Sequence, residues 1–338
     1  MSDVIRVLIV DDSSLVRQSI GTILSSDPDV EVVGEARNGR EACEKTLTLR
    51  PHVITMDLTM PEMDGAEAIM KIMEECPTPI IVVSSMNVNV IAKALALGAM
   101  DFVAVTGDIG EIRHDLIEKV KIASRVRAIR HLRSRFSPKT VPVPREAASK
   151  IVVVGVSTGG PQALQILFSK LPPDFPAAIL VVQHISPGFI QGLGDWLAQT
   201  TPLQYQVAKS GDMPQKGTVY FAPDNVHMMV DKHERIVLKE DLTKKMVHVP
   251  GIDVLMESVA EVFRGNAVGV IMTGMGRDGV AGISAINKSG GRTLAQDEKT
   301  SVIFGMNKLA IEAGAIDHVL PLEAIAEELV RIVKDNNR

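Results

Sequence analysis

The feature that most constrains the fold is an alternation of short apolar runs with amphipathic stretches along much of this 338-residue chain. In the first part, the apolar runs are "VIRVLIV", "VEVVGEA", "HVITMDL", "PIIVVSS" and "DFVAV", and the stretches between them have apolar residues at helical spacing. Continuous apolar strands separated by helices are typical of a parallel sheet that is covered on both faces. Five such units predict a flavodoxin-like, doubly wound α/β domain.

A second alternation begins at Ile151. Its predicted strands are "IVVVG", "AAILVVQ", "TVYFAP", "HMMVD", "RIVLK", "AVGVIMTG" and "RTLAQ", and "LEAIAEELVRIVKD" predicts a closing amphipathic helix. This pattern predicts a second doubly wound, mostly parallel α/β domain. We therefore expect a first domain over residues 1–125, a linker over 126–149 and a second domain over 150–338.

The segment between the two alternations is basic. "EIRHDLIEKVKIASRVRAIRHLRSRF" predicts one long helix, and the three prolines of "SPKTVPVPREAASK" are typical of a linker. No aromatic residues alternate with the arginines, so we interpret them as a solvated face or an interdomain contact and not as a nucleic-acid site. The arginines are Arg125, Arg127, Arg130, Arg133 and Arg135.

Composition excludes several classes of protein. A formal net charge of −5 argues against nucleic acid as the main partner. Cys43 and Cys76 lack metal-ligand spacing, and we expect them to be small hydrophobes in a reducing compartment. No apolar run approaches the roughly 20 residues that span a bilayer. The N-terminal run has acid on both sides, unlike a signal peptide, so we expect no membrane insertion and a cytoplasmic location.

Acidic residues follow the predicted strands of the first domain. Asp11 and Asp12 follow the first strand, Asp57 follows the third, and Ser84 ends the fourth. Because parallel strands have their carboxyl ends at the same edge of the sheet, we expect these side chains to cluster. Clustered carboxylates need a counter-charge, and a hard cation such as Mg²⁺ is the natural one. A carboxylate beside Mg²⁺ has the chemistry to attack a phosphoryl group.

A serine between glycines opens the second domain. "GVSTG" lies between a strand-like run and a helix-like run with Pro161 in its first turn, which is the context expected for a nucleophile on a sharp turn. A helix N-terminus behind a glycine-rich loop also suits a phosphate. These residues alone therefore leave Ser157 open between nucleophile and phosphate cradle.

A base and an orienting acid are available at other strand ends. His184 directly follows a fully apolar strand, and Asp278 follows another in a glycine-rich loop that is suited to an oxyanion. A serine, a histidine and an aspartate at three strand ends favour nucleophilic catalysis. Among the other histidines, we expect His227, His233 and His318 to be structural or exposed, while the role of His248 stays open, with a position in the cleft as one alternative.

Over residues 4–106, the stretches "LIVDDSSLVR", "MDLTMPEMDG", "VVSSM" and "GAMDFV" make the chain resemble the receiver domain of bacterial response regulators. The resemblance implies that Asp57 is the phospho-acceptor and that Asp12, Asp57 and the Thr59 carbonyl hold Mg²⁺, with Asp11 acting through water. It also implies a switch hydroxyl and a switch aromatic, which are Ser84 and Phe102.

One position departs from the receiver pattern. Where receivers have lysine and proline after the fifth strand, this chain has Val105 and Thr106. The lysine normally contacts the acidic site and helps couple the phosphoryl group to the switch. Its loss should weaken that coupling.

From residue 151 to 335, "GVSTGGPQAL", "VVQHISPGF", "VYFAPDNVHM", "DVLMESVA", "GVIMTGMGRDG" and "TLAQDE" make the chain resemble the catalytic domain of chemotaxis protein-glutamate methylesterases. The resemblance implies that Ser157 is the nucleophile, His184 the general acid/base and Asp278 its orienting acid. It places the oxyanion against the backbone of Thr158 and Met275.

Together the two resemblances imply a response regulator whose output is a serine hydrolase. It would remove methyl groups from glutamyl esters of methyl-accepting chemoreceptors, releasing methanol, and would deamidate receptor glutamines. A chemotaxis histidine kinase would supply the phosphoryl group that gates it, and the esterase chemistry would need no cofactor.

Another departure lies before the predicted helix at Asp253, where "HVPGID" has Val249 and Gly251 in place of the family's arginine and serine. Two alternatives therefore stay open. The alternatives to the methylesterase interpretation are a scaffold in a non-flagellar chemosensory pathway and a hydrolase of a different acyl ester.

Overall fold

A computed structural model of the chain describes residues 4–85, 88–105, 107–125, 146–241 and 248–335. The chain divides into two compact units, Met1–Ser134 and Arg135–Arg338. Most of the predicted linker, its arginines beyond Arg125, and Thr106 lie outside the described residues.

The first unit contains a parallel five-stranded sheet, in the order β2-β1-β3-β4-β5. All five predicted strands are confirmed. The interior strands β3 and β4 are fully buried and β1 is buried over its last four residues, as expected for a sheet with helices on both faces. In chain order, β1 to β5 are Ile5–Val10, Val30–Ala36, Val53–Met56, Ile80–Ser84 and Asp101–Ala104.

Four helices connect these strands, and a fifth follows β5. Side chains of Ser13, Asn38 and Asp64 accept hydrogen bonds from the first turns of the first three, which is why those helices begin where they do. The helices α1 to α5 are Ser14–Ser25, Gly39–Leu49, Gly65–Glu75, Val88–Ala96 and Arg113–Ala123. The single long helix predicted after β5 is wrong at its start, because a 3-10 turn, Ile109–Ile112, precedes α5.

The second unit is built on a parallel seven-stranded sheet, in the order β14-β13-β12-β6-β7-β9-β8, with a separate antiparallel pair, β10-β11. In chain order, β6 to β14 are Ile151–Val156, Ala178–Gln183, Gln204–Val207, Thr218–Phe221, His227–Val230, Ile236–Lys239, Ala267–Ile271, Arg292–Gln296 and His318–Leu320. The sequence missed β8 and β14. Both are short edge strands that lack a continuous apolar run.

Helices cover both faces of this sheet. The first face packs against α6, α7 and α11 through residues such as Leu164, Leu193 and Leu329. The second packs against α8, α9 and α10 through residues such as Met256 and Ile283. The helices α6 to α11 are Gly160–Ser169, Ile190–Thr200, Ile252–Phe263, Val280–Lys288, Met306–Glu312 and Leu322–Lys334.

The strand order reverses beside β6. The chain runs outward from β6 through β7 on one side, and later returns to place β12 on the other. A crevice at the carboxyl ends of the strands on either side of such a switch point is where doubly wound sheets bind ligands. None of the described helices combines the length and the apolar character that crossing a bilayer requires.

The contact between α8 and α9 depends on a glycine. A Cβ added at Gly282 would lie 2.5 Å from the Met256 Cβ. We expect Gly282→Ala to lower the free energy of unfolding of the second unit by about 1–3 kcal/mol, because the helices must separate. Urea unfolding followed by the fluorescence of Trp196, the single tryptophan of the chain, measures this.

Gly194→Ala is the matched control. It also lies in a helix of this unit, but its added Cβ would meet nothing closer than 3.8 Å. We expect this variant to be neutral or more stable by up to about 1 kcal/mol, since alanine favours helix. Equal unfolding midpoints for the two variants would contradict the packing argument.

Candidate active site and acidic site

Ser157 lies in a tight turn between β6 and α6. Its N–H donates to the Thr273 carbonyl (3.0 Å), and its own carbonyl accepts from the Gly160 N–H (2.8 Å). Gly159 has φ +78°, and Val302 occupies the space where its Cβ would be. A Cβ at Gly274 would lie 2.7 Å from the Ser157 Cβ. Glycines therefore allow two loops to close around the serine.

Buried polar side chains bind the backbone of this turn. Thr273 is fully buried, and its hydroxyl donates to the Thr158 carbonyl and accepts from the Ile303 N–H, both at 2.9 Å. The Thr273 N–H donates to the Gln296 side chain (2.9 Å), whose amide in turn donates to the Thr300 carbonyl. The turn that holds Ser157 is thus connected by hydrogen bonds to the segment that follows β13.

His184 follows β7, and its N–H donates to the Val156 carbonyl (3.0 Å), so it lies beside the Ser157 turn. Its Nε2 is 3.0 Å from Asp278 Oδ2, and both side chains are 11% exposed. Apart from this approach, neither ring nitrogen has a hydrogen-bond partner among the described residues. With Nε2 facing the carboxylate, Nδ1 is the nitrogen left for other chemistry.

His248 stacks on His184, with ring centroids 4.3 Å apart and planes 20° from parallel. The sequence left its role open, with a position in the cleft as one alternative. The structure places its ring against the imidazole that faces Asp278.

The Asp278 carboxylate lies at the N-terminus of α8. Oδ2 accepts from the Ile252 N–H (2.8 Å) and Oδ1 from the Asp253 N–H (2.9 Å). Burial raises the pKa of this carboxyl, but the contact with His184 and the two backbone donors outweigh burial and hold the pKa below its ordinary value. Asp278 is therefore ionised at neutral pH, beside the imidazole.

His227 holds the residue that precedes α8. It is only 5% exposed, and its Nδ1 accepts from the Gly251 N–H (3.0 Å). A Cβ at Gly251 would lie 3.3 Å from this ring, so glycine suits the close approach. The sequence predicted that His227 is structural or exposed. It is structural, a buried support for the helix that binds Asp278, although no spacing in the sequence indicates this contact.

Thr158 and Met275 both neighbour the Ser157 turn. Thr158 follows it in the chain, and Met275 follows Gly274, which packs against the serine. Within the described parts of the chain, neither backbone N–H donates a hydrogen bond. Two donors beside one hydroxyl can bind a developing negative charge.

In the first unit, Asp57 lies at the carboxyl edge of the sheet. Its Oδ1 accepts from the Ser84 hydroxyl and its Oδ2 from the Thr59 N–H, both at 3.1 Å. Burial raises the pKa of this carboxyl above its ordinary value, and these hydrogen bonds oppose the shift only in part.

Asp11 is a buried neighbour of Asp57. Burial raises the pKa of Asp11 to about 6, and the charges of Asp57 and Asp12 add to the shift, while Arg17 opposes it. Asp12 itself is exposed. No three His, Cys, Asp or Glu side chains in the described residues converge as a metal-binding group.

Two further positions concern the predicted switch. Phe102 is 1% exposed, so the aromatic is buried under the sheet edge. Val105 donates its N–H to the Ser84 carbonyl (3.1 Å) and brings no charge to the acidic site. A cation does lie at this edge, since Arg17 donates to the Asp11 carbonyl (2.9 Å) and pairs with Glu35.

Comparisons with known proteins agree on both units. Residues 7–116 match the response regulator receiver domain family, and residues 152–329 match the CheB methylesterase family. A protein from Pyrococcus abyssi named protein-glutamate methylesterase/protein-glutamine glutaminase is 42% identical, over 98% of this chain and 94% of its own length. A protein of the same name from Geobacillus kaustophilus is 40% identical, over 97% of this chain and 99% of its own.

A solved structure agrees for the second unit. The crystal structure of the CheB methylesterase catalytic domain from Thermotoga maritima is 38% identical, with a TM-score of 0.52. The match covers 54% of this chain and 98% of that domain.

We expect Asp278→Asn to destabilise the second unit by about 1–2 kcal/mol at pH 7, because asparagine has one oxygen for the two N–H donors of Ile252 and Asp253. Since the folded pKa lies below the ordinary 3.8, the carboxylate stabilises the fold above about pH 4 and stops doing so as the pH falls through the folded pKa. Trp196 fluorescence in urea at several pH values measures both effects.

The difference between wild type and Asp278→Asn should therefore shrink towards about pH 3. Asp195→Asn, on the exposed side of α7, is the control and should change little at any pH. A destabilisation by Asp278→Asn that is the same at pH 7 and pH 3 would contradict an ionised Asp278.

Proposed function

Because the chain belongs to the CheB methylesterase family and carries a response regulator receiver domain, we propose that it hydrolyses glutamyl methyl esters on methyl-accepting chemoreceptors and deamidates receptor glutamines. The observation that carries the proposal is the approach of His184 Nε2 to Asp278 Oδ2, at 3.0 Å, beside the turn that holds Ser157. The proposed site of reaction is the cytoplasm.

In the proposed reaction, the Ser157 hydroxyl attacks the ester carbonyl carbon and His184 takes its proton at Nδ1. Support for this role of Nδ1 comes from the opposite nitrogen, which already faces Asp278. The ionised Asp278 fixes the ring and stabilises the imidazolium that forms. The α8 N–H groups keep that carboxylate in place during the reaction.

The negative charge that develops on the carbonyl oxygen is bound by the N–H groups of Thr158 and Met275. What supports this role is that neither group donates a hydrogen bond within the described residues, that Thr158 follows the serine, and that Met275 follows Gly274, which packs against it. Donors that are already in place lower the barrier without reorganising.

The protonated His184 then donates to the leaving methoxide, and methanol departs from the acyl-enzyme. Water, deprotonated by His184, attacks the acyl group and regenerates Ser157. A glutamine side chain follows the same path and releases ammonia in place of methanol. None of these steps requires a metal or a cofactor.

The receiver unit accepts a phosphoryl group on Asp57 from a sensor histidine kinase in this proposal. The donor set suits Mg²⁺, which binds through one or two carboxylates and keeps several waters, so three converging carboxylates are not needed. Asp12, Asp57 and the Thr59 carbonyl would hold the ion, and Asp11 would act through water. The ion would supply positive charge against the phosphoryl oxygens.

Asp57, Ser84 and Phe102 would transmit phosphorylation to the esterase. Ser84 already donates to Asp57, so a phosphoryl group on that oxygen must break and replace this hydrogen bond. In this proposal, phosphorylation of the receiver gates the activity of the esterase.

We expect Ser157→Ala to abolish methanol release from methylated chemoreceptor cytoplasmic fragments, because no other group supplies the nucleophile. Gas chromatography of the methanol measures the rate. Ser169→Ala, at the opposite end of α6, removes a hydroxyl that bonds only within the helix and should retain wild-type activity. Wild-type protein that cleaves simple esters but no receptor fragment would favour the different-substrate alternative.

We expect Val105→Lys to strengthen activation by a small phosphoryl donor, because an ammonium at this position would attract the phosphoryl group on Asp57. The measurement is the ratio of esterase rates with and without the donor. Val105→Met adds length without charge and is the control, and Asp57→Asn should remove the response. An unchanged ratio for the lysine variant would contradict the role assigned to residue 105.

A further inference from the structure

Gln183 connects the two turns that hold Ser157 and His184. It is the last residue of β7 and is 3% exposed. Its Nε2 donates to the Ser157 carbonyl (2.9 Å) and to the His184 carbonyl (2.8 Å). One side-chain amide therefore holds the backbone of both residues at once.

The neighbours of the amide fix its orientation. The reverse orientation would place Oε1 against two carbonyl oxygens, which repel it. In the observed orientation, Oε1 is buried and has no hydrogen-bond partner among the described residues. Gly160 leaves it room, since a Cβ there would lie 2.0 Å from Oε1.

A buried acceptor without a partner destabilises a fold, so it calls for a separate explanation. A hydrocarbon side chain of similar size would fill this space without that penalty. The two Nε2 hydrogen bonds are what such a side chain could not supply, and both end on residues of the candidate active site.

Strand geometry keeps Gln183 away from substrate. Ile179 and Val181, which alternate with it, lie in the core beneath α6 and α7, whereas Leu180 and Val182 lie in the core beneath α8 and α9. The side chain of Gln183 lies on the same face as Ile179 and Val181. His184, the next residue, turns to the opposite face, where it meets Asp278.

We propose that Gln183 is a positioning residue, which sets the separation of the Ser157 and His184 turns and so aligns the nucleophile with the base. This inference rests on the proposed function, because it requires Ser157 to be the nucleophile. Alignment affects the chemical step, and displacements of about 1 Å cost on the order of 100-fold in rate.

The test is the reaction of the full chain with a fluorophosphonate probe, which modifies an activated serine and needs no receptor. We expect Gln183→Met to lower the maximal rate of labelling about 10- to 100-fold while leaving the half-saturating probe concentration within about twofold. Peptide mass spectrometry identifies Ser157 as the labelled residue.

Gln183→Glu is the second variant. It keeps the shape of the side chain but replaces the two-donor Nε2 by oxygen, and a carboxyl donates at most one hydrogen bond, when it is protonated. This variant should therefore also lower the maximal rate of labelling without changing the half-saturating probe concentration. Gln204→Met, at an exposed position on the edge strand β8, is the control and should label like wild type. Thermal unfolding of each protein separates a kinetic effect from loss of fold.

The two possible failures are distinguishable. Wild type that is not labelled at Ser157 overturns the proposed nucleophile, and the inference with it. Wild type that labels normally, together with a folded Gln183 variant that labels equally fast, overturns the positioning role alone.

Discussion

The packing of the second unit depends on two carboxylates, each of which accepts hydrogen bonds from the start of a neighbouring helix. Asp278 precedes α9 but accepts hydrogen bonds from the first N–H groups of α8, and Asp253, in the first turn of α8, accepts from the Gly282 N–H of α9 (2.7 Å). The N-terminal N–H groups of each helix are thus bound by a carboxylate in or just before the other helix. Because Gly282 lets the helices approach closely, the carboxylate that faces His184 is fixed by the same contact that packs the domain.

A second constraint lies at the carboxyl ends of β6 and β12, where the backbone around Ser157 is held by buried polar side chains. Thr273 binds the carbonyl of Thr158, and Gln296 binds the N–H of Thr273. Asn307, at the start of α10, donates to the Gln296 carbonyl. The Oδ1 of Asn307 is itself buried without a hydrogen-bond partner among the described residues, and the remaining hydrogen bonds of this network specify one arrangement of the turn. It also gives a physical reason for the residues of the "TLAQDE" stretch, none of which has a proposed chemical role.

At the acidic edge of the first unit, the carboxylates repel one another as well as accepting hydrogen bonds. Burial and the charges of Asp57 and Asp12 raise the pKa of Asp11 to about 6. The ionised form of Asp11 is therefore disfavoured in the fold, and a nearby positive charge would stabilise it. Arg17 supplies some positive charge from α1, and Val105 supplies none at the position where receivers have lysine.

The sequence by itself determined the fold class, most of the strands and the set of Ser157, His184 and Asp278. The reason is that parallel strands read as apolar runs, and residues directly after such runs must meet at one edge of the sheet. It missed β8 and β14, which lack a continuous apolar run, and it left open whether His227 is structural or exposed, whereas the ring is buried. Only the tertiary structure decided that Nε2 of His184 faces Asp278, that α8 binds that carboxylate and that Gln183 joins two turns. These contacts join segments far apart in the chain, and they depend on strand register and helix packing, which local patterns do not encode.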